Sequence, residues 1–397
     1  MKFVVIGGAG AMGSIVVKDL FEFTKPEDEI VIADYNLEKA QKSAKKYKSP
    51  KVSATFINVK DKEKASVVLQ NSFVTINCVQ YQLNLDVMEA CLLAKSHYVD
   101  LGGLFHYTLD QLKLHSRFQS AGLMAIIGMG AAPGITNILS RIGCDELDTV
   151  KEIHTRIAGT DNTNYSYLPA LPVAYSLQTI LEEFSYEPAV FTKGKMTFVK
   201  PTTGNDVVSF PAPVGKVKPM YTLHSEVATL PYSFAKKGVK EVSFKIAFDD
   251  KFVEQVKFLR DFGFSSHEPI SVKGTPFIPI DVVNAIAMSQ SPAIAKGKVK
   301  QHEIVRAVVK GTKNKKKITY VLDCHTKGLP EWGFGIDVNT GCPPSLVAIL
   351  MAENKILLTP GVFPPEVAVS PKPFIEGLKK RKMKIIIQKK SGWGFKA

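Results

Sequence analysis

Apolar positions along this chain change period several times, and each change marks an element. Residues 2–6 (Lys-Phe-Val-Val-Ile) form an unbroken β-branched run, the pattern of a parallel strand covered on both faces. The run breaks into Gly7-Gly8-Ala9-Gly10-Ala11-Met12-Gly13, after which Met12, Ile15, Val16, Leu20 and Phe23 fall on one helical face. A second apolar run, 29–33, ends on Asp34. The alternation then continues. Helices are predicted at 37–47, 61–69, 84–95 and 108–121, the last capped by Thr108, between strands at 52–59, 73–79, 97–101 and 123–127. Strands joined by helices in this way predict an α/β doubly wound parallel sheet, the Rossmann arrangement, over residues 1–130.

From about residue 149 the rhythm is different. A strand at 149–158 is followed by a helix at 172–184 and a hairpin at 191–199 around Lys193-Gly194. Strand-like segments follow at 207–210, 221–229 and 241–248, then a helix at 251–262. Runs at 303–310 and 317–324 flank a turn at Gly311-Thr312-Lys313-Asn314. Hairpins without βα alternation predict a mixed sheet in a separate α+β substrate domain, residues 131–335. Residues 336–397 read as helices at 343–353 and 374–382 and a strand at 383–388, and are expected to pack back on the Rossmann domain. The Gly-, Ser- and Pro-rich stretch 263–279 reads as a loop over the substrate cleft.

Gly8, Gly10 and Gly13 fit G-x-G-x-x-G between a strand and a helix, where the motif permits a tight turn, a close backbone approach to a pyrophosphate and close helix packing. The helix start offers free N–H groups and a partial positive charge to phosphates. Gly8, Ala9, Gly10, Ala11, Met12 and Gly13 are therefore cofactor-binding candidates. Asp34 is placed to accept from the ribose hydroxyls and to repel a 2′-phosphate, which favours NAD over NADP. Ligands of such sheets lie beyond the carboxyl ends of the strands, where the glycine loop meets 78–81, 100–103 and 129–134. Cys78 and Gly102 join the cofactor set from these segments, and Gly103, Pro133 and Gly134 the substrate set. Each also suits an ordinary turn.

A chain of 397 residues has room for two domains. Its first apolar run is too short for a signal peptide, and no run approaches the ~18 apolar residues of a membrane span. Five scattered cysteines without C-x-x-C argue against a disulfide framework and against structural zinc, and point to the cytoplasm. No metal-ligand pattern stands out. The net charge of +14 comes mostly from dispersed lysine, with six arginines, which reads as solvated surface and not as a nucleic-acid face. It also suits an anionic cofactor. A homodimer is expected for this fold class.

Several segments together resemble the saccharopine dehydrogenase family, in particular its lysine 6-dehydrogenase-like branch. They are Gly8-x-Gly10-x-x-Gly13, Tyr98-Val99-Asp100-Leu101-Gly102-Gly103, Ala132-Pro133-Gly134-Ile135-Thr136-Asn137-Ile138-Leu139 and Tyr221-x-x-His224-Ser225-Glu226. The resemblance runs nearly end to end and implies hydride transfer between NAD(P) and the C–N bond of an amino acid. Glutamate-forming saccharopine reductases carry an acid just before the Pro-Gly pair. Ala132 stands there in this chain, which points toward a simpler amino acid.

Oxidising an amine to an imine requires a general base near the working pH. Asp100, at the end of a strand facing the crevice, is the first candidate. His224 and Glu226, two apart in the predicted 221–229 strand, form a second, base and orienting acid on one face. Tyr81 is a further catalytic candidate by position, with His106 and Tyr107 behind it. Arg141 and Arg156 are candidate bidentate partners for a substrate carboxylate. Two other readings remain open: a saccharopine dehydrogenase proper, and a nucleotide-binding sensor or assembly protein without turnover.

Overall fold

The computed structural model describes residues 1–173, 175–356 and 359–395. The first sheet has seven strands, all parallel, in the order Gly361–Phe363, Met124–Ile126, His97–Asp100, Val74–Asn77, Lys2–Ile6, Glu29–Asp34 and Val52–Phe56. Both of its faces are covered, so Val4, Val5, Ile30, Ile32, Val74 and Ile76 are wholly buried, as the uninterrupted apolar runs require. The fold is α/β with a Rossmann sheet and a separate mixed sheet.

The second sheet also has seven strands, ordered Lys195–Phe198, Ala189–Thr192, Glu241–Ala247, Thr149–Asp161, Gln301–Lys313, Lys316–Thr326 and Lys384–Ser391. Only the pairing of Glu241–Ala247 with Thr149–Asp161 is parallel. Residues after 336 thus serve both sheets. Gly361–Phe363 adds an edge strand to the first, and Lys384–Ser391 one to the second.

Local outcomes differ from the periodicity at several points. The 108–121 segment is two helices, Leu104–Leu112 and His115–Ser120, so Thr108 lies inside a helix and its hydroxyl returns to the Leu104 carbonyl four residues back. The predicted 172–184 helix starts at Leu177, where Ser176 Oγ accepts from Thr179 N; residue 174 lies outside the described residues. The 221–229 segment is no strand. It is a loop that enters the helix Glu226–Ser233, because Val227 and Leu230 turn inward at helical spacing. Residues 263–279 hold a small exposed hairpin, Ile270–Val272 with Thr275–Phe277. Among the described residues no helix is long and apolar enough to cross a membrane.

One buried ion pair ties the C-terminal segment to the nucleotide half. Arg381 Nε and Nη2 each lie 2.6 Å from a carboxylate oxygen of Asp19, and Ser345 Oγ donates to the same carboxylate at 2.7 Å. Both side chains of the pair are inaccessible, so neither charge retains water. Removing one partner strands the other as an uncompensated buried charge. Arg381→Ala should therefore lower unfolding free energy by about 3–5 kcal/mol in denaturant titrations, and the apolar double variant Asp19→Leu/Arg381→Met should recover most of the loss.

Candidate active site

The glycine loop has the geometry of a phosphate cradle. A Cβ on Gly13 would fall 2.1 Å from the Gly7 carbonyl oxygen, so only glycine lets the helix Ala11–Phe23 start this close to the strand. The helix start has no side-chain cap hydrogen bond and no acid in its first turn. Its amides are free for an anion. Gly10, Ala11 and Met12 are accessible, while Gly8, Ala9 and Gly13 are interior and shape the loop. Asp34 Oδ2 accepts from Ala9 N at 3.1 Å and Oδ1 from Asn36 N at 3.0 Å, which fixes the carboxylate at the rim of the loop. This donor and acceptor set fits an adenine dinucleotide, with the diphosphate on the amides and the ribose at Asp34. Cys78 follows the central strand beside Gly7, and burial together with the Asp100 charge pushes its thiol up, so it contributes packing and not a thiolate.

Asp100, the first candidate base, stands at the centre of a buried hydrogen-bond network. Only 1 % exposed, it accepts from Tyr98 Oη at 2.8 Å, Gly102 N at 2.9 Å, Gly128 N at 2.6 Å and the Gln111 amide. Burial raises its pKa and these donors oppose the rise. The carboxylate clamps the turns that follow two adjacent strands. Gly102 is held by this clamp and by its carbonyl, which accepts from Asn84. Gly103, buried, caps the helix Leu104–Leu112, and Pro133 packs under Gly102 and Gly128. Gly134 adopts φ +121, where any Cβ would meet Gly130 O at 2.2 Å. Gly103, Pro133 and Gly134 are thus buried turn residues that shape the loops.

The two arginines proposed for a carboxylate are also engaged elsewhere. Arg141 Nη1 donates to the carbonyls of Glu366, Val367 and Val369, closing the end of a short helix. Arg156 is 3 % exposed and bonds to Thr155 O, Ser243 O and Ser243 Oγ. Its strand neighbour Lys245 shares its face of the second sheet, whereas Phe244, one residue earlier, points the opposite way and stacks on His224 at 3.8 Å. Arg156 therefore lies on the far side of the sheet from His224.

His224 and Glu226 do meet, although no strand joins them. His224 Nδ1 bonds to Glu226 Oε2, and Glu226 Oε1 accepts from Thr136 Oγ1 at 2.8 Å. Glu226 is wholly buried and His224 nearly so. The Phe244 ring fixes the imidazole plane, and among the described residues nothing bonds Nε2. Burial disfavours the charged ring, but the charge and hydrogen bond of Glu226 outweigh it and raise the pKa of His224. Close by, Glu183 accepts from Tyr175 Oη at 2.7 Å, and burial pushes it up to about 7. Its neighbour Glu182 accepts from Tyr81 Oη at 2.7 Å. Tyr81 is thereby a donor to a carboxylate, and burial and the Glu182 charge push its phenol up.

Sequence reasoning missed Thr136, Tyr175, Glu182 and Glu183. In the helix Leu177–Ser185 the apolar residues Leu177, Ile180, Leu181 and Phe184 fall on one stripe and the acids on the other side, a pattern that reads as a solvated polar face, so nothing local marked Glu182 and Glu183 as buried.

A dinucleotide cradle together with a buried imidazole and carboxylate whose pKa values are both raised fits a nicotinamide-dependent dehydrogenase. Residues 3–126 match the family model for the saccharopine dehydrogenase NADP binding domain, and residues 130–383 that for the saccharopine dehydrogenase C-terminal domain. The chain belongs to the saccharopine dehydrogenase family, and it is an NAD(P)-dependent dehydrogenase acting on amine or imine carbon–nitrogen bonds. Carboxyaminopropylagmatine dehydrogenase of Synechocystis sp. is 24% identical across 95% of this chain and 95% of its own length. Carboxynorspermidine synthase of Vibrio cholerae is 25% identical across 93% of this chain and 92% of its own. Two solved structures share the fold at a TM-score of 0.69. Apo saccharopine dehydrogenase (L-Glu forming) of Saccharomyces cerevisiae is 15% identical and the alignment covers 98% of this chain and 99% of that one. Homospermidine synthase of Legionella pneumophila, in complex with NAD, is 14% identical over 98% and 91%.

Asp100→Ala should leave four donors without an acceptor and lower stability by about 3 kcal/mol or more, read by denaturant unfolding. A variant of wild-type stability that has lost only turnover would return Asp100 to the role of base.

Proposed function

We propose that this chain oxidises, or in the reverse direction forms, the secondary amine of a carboxylated polyamine, with NAD as its redox partner. The substrate reading rests on the two curated relatives aligned over nearly the whole chain, whose names carry an amino-acid end joined to a polyamine or agmatine. It shifts the substrate from free lysine to a longer polycation. The observation that carries the mechanism is the buried Thr136–Glu226–His224 chain, whose Nε2 has no hydrogen-bond partner among the described residues.

NAD, when bound, supplies the hydride acceptor. His224 is the group that takes the ammonium proton of the substrate, since only a neutral amine can release hydride from the adjoining carbon. Glu226 holds the imidazole in one tautomer and stabilises its protonated form, and Thr136 orients Glu226. Glu183, with a pKa near neutrality, exchanges the proton needed when water adds to the imine. Asp34 supports NAD over NADP, for Tyr35 and Asn36 follow it and neither is cationic.

The pH dependence follows from the charges. His224 accepts a proton only when neutral, so kcat/KM for amine oxidation should rise with pH along a limb whose midpoint lies above about 6.5. Glu226→Gln removes the anion that supports the charged ring and leaves burial unopposed, so that limb should move to lower pH. An unmoved limb would remove His224 from the proton transfer. Asp34→Ala should narrow the NAD over NADP preference by about 10–100-fold in Kd, from the loss of charged hydrogen bonds to ribose. The substrate itself is tested by NADH formation with carboxynorspermidine, carboxyaminopropylagmatine, saccharopine and lysine. The carboxylated polyamines should exceed the other two by about tenfold or more in kcat/KM, and a preference for saccharopine or lysine overturns the reading.

A further inference from the structure

A cavity of about 450 Å³ opens next to the His224 site, with Tyr81, Gln82, Tyr107, Glu182, Tyr186 and His267 on its walls. Glu182 is 1 % exposed. Its carboxylate accepts from Tyr81 Oη at 2.7 Å, Gln82 Nε2 at 3.0 Å and Gln178 Nε2 at 3.2 Å, all neutral donors. Among the described residues the one partner that can carry a positive charge is the ring of His267, 3.0 Å away. That ring is 45% exposed and belongs to the exposed stretch before the 270–277 hairpin, so it is the partner most easily displaced. A buried carboxylate is costly unless a cation or full hydrogen bonding compensates it. In a chain with 51 lysines and arginines, none of them pairs with Glu182 among the described residues.

The walls are those of a cation site. Tyr81 and Tyr107 meet at 4.9 Å with an interplanar angle of 83°, forming a perpendicular corner, and Tyr186 supplies a third ring. Aromatic faces attract ammonium and guanidinium groups and hold them best when water is displaced. Burial first, and the Glu182 charge second, raise the phenol pKa values of all three tyrosines and keep them neutral. Gln82 Oε1 is buried with no donor, a second acceptor for the N–H groups of a cation.

We propose that this cavity is a binding subsite for the distal nitrogen cation of the amine substrate, an alkyl-linked ammonium or guanidinium held by Glu182 and the tyrosine walls. The subsite adjoins the reacting centre. Leu223, on its wall, precedes His224, and Glu182 precedes Glu183, so one residue spacing of about 3.8 Å separates each pair of Cα atoms. Consecutive helical side chains diverge, and Glu182 faces the cavity while Glu183 faces His224. The cation would anchor one end of the chain and set which nitrogen reaches His224. This assignment rests on the polyamine reading for its role in turnover, but not for binding itself.

The test combines binding and kinetics. Calorimetry with 1,4-diaminobutane and with agmatine as separate probes should show binding to the wild-type protein, and the stronger of the two identifies the ammonium or the guanidinium source. Glu182→Gln, which keeps the shape and removes the charge, should weaken the preferred probe about 100-fold while NAD affinity stays unchanged. Tyr107→Leu, on a partly exposed wall, should weaken it several-fold. In turnover, Glu182→Gln should raise KM for the cationic substrate at least about tenfold more than for an analogue ending in a methyl group. No binding of either probe to wild type, or equal binding to wild type and Glu182→Gln, overturns the subsite. Probe binding that depends on Glu182 in a protein that prefers saccharopine overturns the polyamine reading alone.

Discussion

The buried carboxylate of Asp100 is the constraint on which the architecture of the crevice depends. Parallel strands end in loops with no partner strand to order them, and the loops after His97–Asp100 and Met124–Ile126 both close on this one acceptor. With Gly102 and Gly128 fixed, Pro133 lies beneath them and Gly134 makes the reversal that starts the next helix. Thr136 stands in the first turn of that helix, and it is the donor that aims Glu226. A single satisfied charge at the end of a strand thus sets the position of the hydrogen-bonded Thr136–Glu226–His224 chain, which belongs mostly to the other half of the molecule. Its four donors explain why an ionisable group survives there at all, since an unpaired one would be expelled or neutralised.

The two halves meet as complementary chemistry. The first sheet supplies amides, a helix dipole and Asp34, all suited to an anionic dinucleotide. The second brings His224, Glu226, Glu182 and Glu183, an acid-rich wall that suits a cationic amine. An overall charge of +14 says nothing of this division, because the lysines are spread over solvent while the acids of the cleft are buried. The C-terminal segment holds the halves together by giving one strand to each sheet and by the Asp19–Arg381 pair.

Legibility in the sequence followed how local each signal was. The opening strand, glycine loop, helix and Asp34 were readable because apolar period, turn residues and motif coincide within thirty-four residues. The three-residue strand Gly361–Phe363 was not, since so short an edge has no period. His224 and Glu226 were correctly paired for the wrong reason. Alternation in Tyr-Thr-Leu-His-Ser-Glu-Val imitates a strand, while the structure joins a loop residue to the first residue of a helix. Asp100 was found, but not the network around it, because its donors Gln111 and Gly128 are remote in sequence and invisible to spacing. Arg156 was offered for a substrate carboxylate without a face, and it lies across the sheet from His224, since which side of a sheet lines a cleft is decided by the other domain.

The most direct measurement is a crystal structure of the protein with NAD bound. The account predicts the diphosphate against the amides of residues 11–13, the adenosine ribose on Asp34, and the nicotinamide C4 facing His224 Nε2 across the crevice. A dinucleotide bound with its nicotinamide turned away from His224 and Glu183, or seated elsewhere than on the glycine loop, would contradict it.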